Sequence, residues 1–198
     1  MDIVDRIQSY GRTITYGPGD SHVINAVDAG QLFVSGRLVV MDAFWPLAGH
    51  LPGMPRVSDA PATFAVTLST IEIADSPGSR LHLVGGVTAT ILESDAPPTR
   101  WQNGFGEGHG VAVDSRNIVL LDDARVEPYR HAREREDGDP ADLMDSMNQE
   151  PFKLVDGGLV VRCGEGDGVY DVWLGYSADD RLAQVVVDLD TFSEGDIG

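Results

Sequence analysis

The clearest alternation of apolar and polar positions lies near the end of the chain. A run of glycines and acids, Gly164 to Gly168, leads into Val169 to Tyr176; after Ser177 to Arg181, a β-branched stretch returns from Leu182 to Asp190. Side chains alternate across a strand, so Val172, Leu174 and Tyr176 share one face while Val169, Asp171, Trp173 and Gly175 share the other. The pattern predicts one strand over 169–176, a polar tip and a returning strand. The middle of the chain repeats it. Ala62 to Ala74 sets Phe64, Val66, Leu68 and Thr70 against Ala65, Thr67 and Ser69, and residues 80–92 return after a turn at Asp75 to Ser79. Gly85-Gly86 inside that return predicts a bulge or a close backbone approach.

Shorter segments fill in the rest. Leu38 to Met41 is apolar and too short for a helix, which predicts a buried strand. Val23 to Val27 and Leu32 to Val34 read as two short strands around Asp28-Ala29-Gly30. Thr99 to Trp101, Gly110 to Asp114 and Asn117 to Leu121 read as extended, and Phe152 to Val155 pairs with Leu159 to Cys163 through Asp156-Gly157-Gly158. Helical spacing occurs in residues 2–10 (Ile3, Val4, Ile7) and in residues 122–150. In the latter, Asp122-Asp123 can cap, Ala124, Val126 and Tyr129 fall near one face, Gly138 and Pro140 interrupt, and Ala141 to Gln149 restarts. Four prolines within residues 46–61 predict a long irregular connection. The expected fold is mainly β, with antiparallel sheets forming a sandwich or a strongly curved sheet and one or two short helices; α+β is the alternative. Residues 1–198 are expected to form a single domain.

Composition adds a sign and a direction. The net charge is −18, and residues 1–80 hold only eight of the 32 acids, against five bases. The second half therefore carries most of the negative charge, and its acids are expected to gather on one surface. Such a field repels nucleic acid and anionic membranes and favours basic proteins or cations. No apolar run approaches the roughly 20 residues of a membrane span. The start, Met1 to Arg6, lacks the basic-then-apolar layout of a signal peptide, and the single Cys163 permits no internal disulfide. Both point to a cytoplasmic protein.

Few motifs carry chemistry. The five histidines stand far apart, with no HExxH pair and no Cys-His spacing for zinc. Asp188-Leu189-Asp190 starts like a calcium loop, but Phe192 takes the third position. Glu165, Asp167 and Asp171 remain as candidate ligands for a divalent cation; no other cofactor is expected. Cys163 has no histidine near it in sequence, no GxSxG elbow occurs, and Gly164 to Gly168 carries two acids where a dinucleotide loop needs to welcome phosphate.

Four blocks of the chain, taken together, resemble one uncharacterised bacterial family, domain of unknown function 4241. They are Ser35 to Phe44, Ala89 to Trp101, Gly110 to Asp114 with Ile118 to Ala124, and Gly164 to Tyr176 followed by Asp188. The resemblance covers about residues 35–190. It implies one β-rich domain with no established activity and adds Asp188 to the candidate binding residues.

Three functions follow as expectations. The first is a non-enzymatic acidic binding protein for a basic partner, possible in the concrete form of an immunity protein against a basic toxin. The second is an enzyme or a small-ligand or cation-binding domain with a pocket near Asp42, Trp101, Asp167 and Tyr170. The third is a structural or accessory component of a larger assembly, which would present an exposed apolar patch or an open sheet edge.

Overall fold

The structure, a computed structural model, describes residues 3–16, 20–44, 61–76, 79–94, 96–105, 110–135, 147, 150–164 and 166–191. Among them the chain is mainly β, with antiparallel sheets, two short helices and no closed barrel. In chain order the first elements are α1 (Ile3–Ile7), β1 (Thr13–Thr15), β2 (Ser21–Val23), β3 (Asn25–Val34) and β4 (Leu38–Asp42). The long hairpin β5 (Ala62–Ser76) and β6 (Ser79–Ile91) follows, then β7 (Arg100–Asn103), β8 (Val111–Val113), β9 (Asn117–Asp122) and α2 (Asp123–Arg135). The chain ends with β10 (Phe152–Val155), β11 (Gly158–Arg162), β12 (Gly168–Tyr170), β13 (Val172–Tyr176) and β14 (Leu182–Asp188). A six-stranded sheet has the order β3-β5-β6-β14-β13-β7, and a four-stranded sheet the order β10-β11-β9-β4. The pairs β1–β2 and β8–β12 stand beside them.

The two larger sheets share one apolar core. Phe64, Val66 and Leu68 of β5 and Val185 and Val187 of β14 meet Val40 of β4, Ile118 and Leu120 of β9, and Val161 of β11. Fully buried aliphatics such as Ile118 and Leu120 each contribute about 2 kcal/mol by leaving water. The four-stranded sheet is covered on its other face too, where Val39, Met41, Val119 and Leu121 pack with Tyr129 of α2 and with Met147. With both faces covered, β4 and β9 are buried at every position instead of alternating. The outer face of the six-stranded sheet is covered at one end by α1, whose Val4 and Ile7 pack with Val186, Trp101 and Trp173.

The Gly85-Gly86 pair does both things expected of it. Ser69 pairs with Gly86 and Thr70 with Val84, so Gly85 is the extra residue of a bulge, and its carbonyl accepts the Leu189 amide at 3.1 Å. A Cβ on Gly86 would collide with Ile7 Cγ2 and lie 3.1 Å from Ile7 Cγ1. Glycine is thus what lets α1 approach the sheet, and the Ser69 hydroxyl donates to the Ile7 carbonyl at 2.5 Å. The β10–β11 turn uses Asp156 and Gly157 at φ 50° and 80°, the left-handed pair that a tight hairpin requires.

Several expectations are corrected. The two strands expected around Asp28-Ala29-Gly30 are one strand, β3, with a bulge there. Gly30 has φ 89° and donates its amide to Asp28 Oδ1 at 2.8 Å, which absorbs the turn-like residues without ending the strand. The strand expected over 169–176 breaks at Asp171: β12 pairs with β8, while β13 joins β14 and β7. Alternation continues across the break and so conceals it. Of the positions expected near one face of the helix in residues 122–150, Ala124 is exposed while Tyr129 is fully buried. The pair β1–β2 carries no alternation long enough to have been read. The connection expected over residues 46–61 lies outside the described residues up to position 60, and so does the expected helical restart over 141–149 apart from buried Met147.

Candidate functional site

Asp42 ends β4 on the same side as Leu38 and Val40, the side that faces the shared core. Burying a carboxylate there is costly unless donors surround it. They do. Oδ1 accepts the Phe44 amide at 2.8 Å and the Ser115 hydroxyl at 2.7 Å; Oδ2 accepts the Asp114 and Ser115 amides at 2.7 and 2.9 Å. The donors come mainly from the tight β8–β9 turn, where Arg116 has φ 60°. Asp42 therefore fastens that turn to the end of β4.

Cys163 follows β11 and donates its amide to the Arg116 carbonyl at 2.8 Å. Its thiol is buried, and burial pushes its pKa far above the usual thiol range, helped by the charges of Asp42 and Asp167. Tyr170 is buried beside it; the hydroxyl donates to the Gly166 carbonyl at 2.6 Å and lies within hydrogen-bonding reach of the sulfur. Of the residues expected to form a pocket, Tyr170 lies beside Cys163, and the charges of Asp42 and Asp167 are felt at its thiol. A thiol held protonated is a poor nucleophile.

Trp101 does not join that group. It pairs with Gly175 across β7 and β13, and its ring comes within 2.7 Å of where a Gly175 Cβ would stand. Gly175 and Trp173 point to the outer face, so Trp101 packs with Val4, Ile7 and Val186 on the α1 side of the sheet. The Cys163 group is on the core side, as Tyr170 packs with Val111, Val113 and Val172. A layer of sheet separates them.

Asp188 lies at the end of β14, 4% exposed, in an ion pair with Arg6. Its Oδ1 also accepts the Asp190 amide at 2.9 Å. Burial pushes the Asp188 carboxyl up from the ordinary aspartate range, against the opposing pull of the Asp190 amide and Arg6. Asp171, one of the expected cation ligands, accepts the Asn103 side-chain amide at 3.0 Å. Asp167 is exposed, and Glu165 lies outside the described residues. Among the described residues no three His, Cys, Asp or Glu side chains are placed to hold a metal ion, and no helix is long and apolar enough to cross a membrane.

Among the described residues the exposed acids of the second half sit on several elements. Asp179 and Asp180 sit at the β13–β14 tip, Glu127 and Glu134 on α2, and Asp156 in the β10–β11 turn. Several have arginine partners: Asp180 with Arg100 at 2.8 Å, Glu127 with Arg130 at 2.6 Å, and Asp156 with Arg133.

Sequence reasoning missed Ser115 and Arg6, the partners of Asp42 and Asp188, and the exposure of Phe33 and Leu92. Ser115 and Arg6 act on residues 73 and 182 positions away in the chain, which no local pattern reveals. Phe33 and Leu92 had a local signal, since each neighbours inward apolar residues and so points outward. No family model matches the chain, and no curated protein or solved structure matches it either.

Proposed function

We propose that the chain is a non-enzymatic binding protein for a basic partner, an immunity-type protein that neutralises a basic toxin being the concrete form. The net charge of −18 carries this reading. The charge acts as a field, speeding encounter with a cationic protein and repelling nucleic acid that would compete for it. The buried acids and the thiol have structural occupations: Asp42 holds the β8–β9 turn, Asp188 holds Arg6, and Cys163 is kept as a thiol. Kinship with domain of unknown function 4241 is part of the same proposal and brings no activity with it.

Affinity capture by the immobilised chain from its own cells, at low and then rising salt, tests it. Proteins of high isoelectric point should be retained at low ionic strength and released as the field is screened. Retention of no basic protein, or retention indifferent to salt, overturns the reading. The position of Tyr170 beside Cys163, whose thiol feels the charges of Asp42 and Asp167, supports a second reading, a small-ligand or cation site without Trp101. Titration with Ca²⁺ or Mg²⁺, followed by amide shifts at Asp167 and Tyr170, decides it; unchanged shifts at millimolar metal remove the cation form.

A further inference from the structure

We propose that the basic partner docks on the outer face of the six-stranded sheet, at the end marked by Phe33, Thr63 and Leu92. The segment received there presents apolar side chains interspersed with Lys or Arg. This rests on the basic-partner reading above and says where and how such a partner is held.

Phe33 and Leu92 are 62% and 49% exposed. Single exposed apolar residues are ordinary, but these two bracket one position. Phe33 pairs with Thr63 across β3 and β5, and the Leu92 amide donates to the Thr63 carbonyl at 2.8 Å. They stand about two strand spacings apart, roughly 10 Å, with a threonine between them. The neighbours Leu32, Phe64 and Ile91 belong to the shared core, so this row faces away from it. The helix α1 covers only the far end of the same face, where Ile7 meets Gly86 and Arg6 meets Asp188. Among the described residues, no element of secondary structure is packed against the Phe33 end.

Charge identifies the occupant. Between the Phe33 end and the Gly85 bulge, the outward positions of β3, β5, β6 and β14 are Thr, Gln, Ser, Ala, Gly, Val, Phe or Asp, and none is Lys or Arg; beyond the bulge Ile71, Ile73, Leu81 and Leu83 pack with Ile14 of β1. Two exposed acids lie close to the apolar pair. Glu93 accepts the Thr63 amide at 3.2 Å, and Asp28 lies four residue pairs along β5, roughly 13 Å away. A second copy of the chain is opposed by −18 on each molecule, and a nucleic acid or an anionic lipid surface is opposed in the same way. A neutral sugar would leave the acids unused. A cationic segment with intervening apolar side chains satisfies both features, and the exposed Phe33 ring can also receive a cation on its face.

The test uses the full chain and two labelled synthetic peptides of equal length, one alternating Lys and Leu, the other alternating Lys and Ser, with binding read by fluorescence anisotropy. The Lys-Leu peptide should bind about tenfold more tightly. Phe33→Thr and Leu92→Ser should each weaken it by roughly tenfold, more than most interface residues cost when truncated. A double Asp179→Asn and Asp180→Asn change at the β13–β14 tip should alter it by less than about threefold. Amide shifts on the unaltered chain should fall on Phe33, Thr63 and Leu92, a readout that does not depend on any variant folding. If the peptide binds but Phe33→Thr and Leu92→Ser leave it unchanged, the docking face is wrong and the basic-partner reading survives. If neither cationic peptide binds, that reading falls and this one with it. If the two peptides bind equally, or if a neutral cello-oligosaccharide shifts these residues and the peptide does not, the amphipathic cationic occupant is overturned.

Discussion

Asp42 and Asp188 are buried to nearly the same depth, 5% and 4% exposed, yet the fold supports them in different ways. Among the described residues Asp42 is met by neutral donors, three hydrogen bonds coming from the two turn residues Asp114 and Ser115. Asp188 is matched by an opposite charge, Arg6, from a helix at the other end of the chain. Neutral donors fix a local shape at little desolvation cost beyond the one carboxylate. A buried ion pair removes two charges from water, and its worth depends on both remaining in place. The first arrangement organises a turn; the second fastens the chain's beginning to its end.

Removing the carboxylate of Asp42 should show the largest effect. Asp42→Ala leaves the Asp114 and Ser115 amides without their acceptor and should cost about 3–5 kcal/mol in urea unfolding. Asp42→Asn keeps one acceptor but points an amide at two N–H donors, and should recover less than half of that loss. Arg6→Met comes next. It leaves Asp188 buried without its counter-charge and should cost about 3 kcal/mol at neutral pH. That deficit should shrink on acidification, because Asp188 can then take up a proton. A loss equal to or above that of Asp42→Ala would reverse the ranking of the two supports.

Gly86→Ala separates the two regions cleanly. Its Cβ would displace Ile7, moving α1 and with it Arg6, while leaving Asp42 untouched. A cost of about 1–3 kcal/mol is expected, with partial rescue by Ile7→Val. The smallest effect is in the pH dependence. The Asp188 carboxyl titrates above its unfolded range, so between the two values the native state binds more protons. The stabilisation this gives is complete below the unfolded pKa and is lost as pH rises through the folded one. The melting temperature of wild type relative to Asp188→Asn should therefore fall from acid towards neutral pH; a rise would contradict the direction.

The strands with long alternation or a bounded apolar run were legible: β4, the β5–β6 hairpin, β9, β10–β11 and the β13–β14 hairpin. So was the Gly85 bulge, because two glycines inside a strand have few other uses. The break at Asp171 was not, since alternation reports which way a side chain points and not which strand lies beside it. The same limit placed Trp101 beside Tyr170 in the expected pocket. Both are aromatic strand residues, but register with Gly175 puts one on the outer face while the other is buried on the core side. Asp42 could be singled out as a polar end to an apolar strand, while its donors 73 positions away could not.

Period, turn residues and net charge belong to the chain itself: they dictate an antiparallel β protein with a strongly negative field, because each depends only on neighbours in sequence or on a sum over all residues. Which strands share a sheet, which acids end up buried and with what partner, and that Phe33 and Leu92 flank one threonine were decided by the tertiary structure. Those outcomes depend on contacts between residues tens to nearly two hundred positions apart, such as Arg6 with Asp188, where packing and desolvation select a single pairing among many that local pattern would allow.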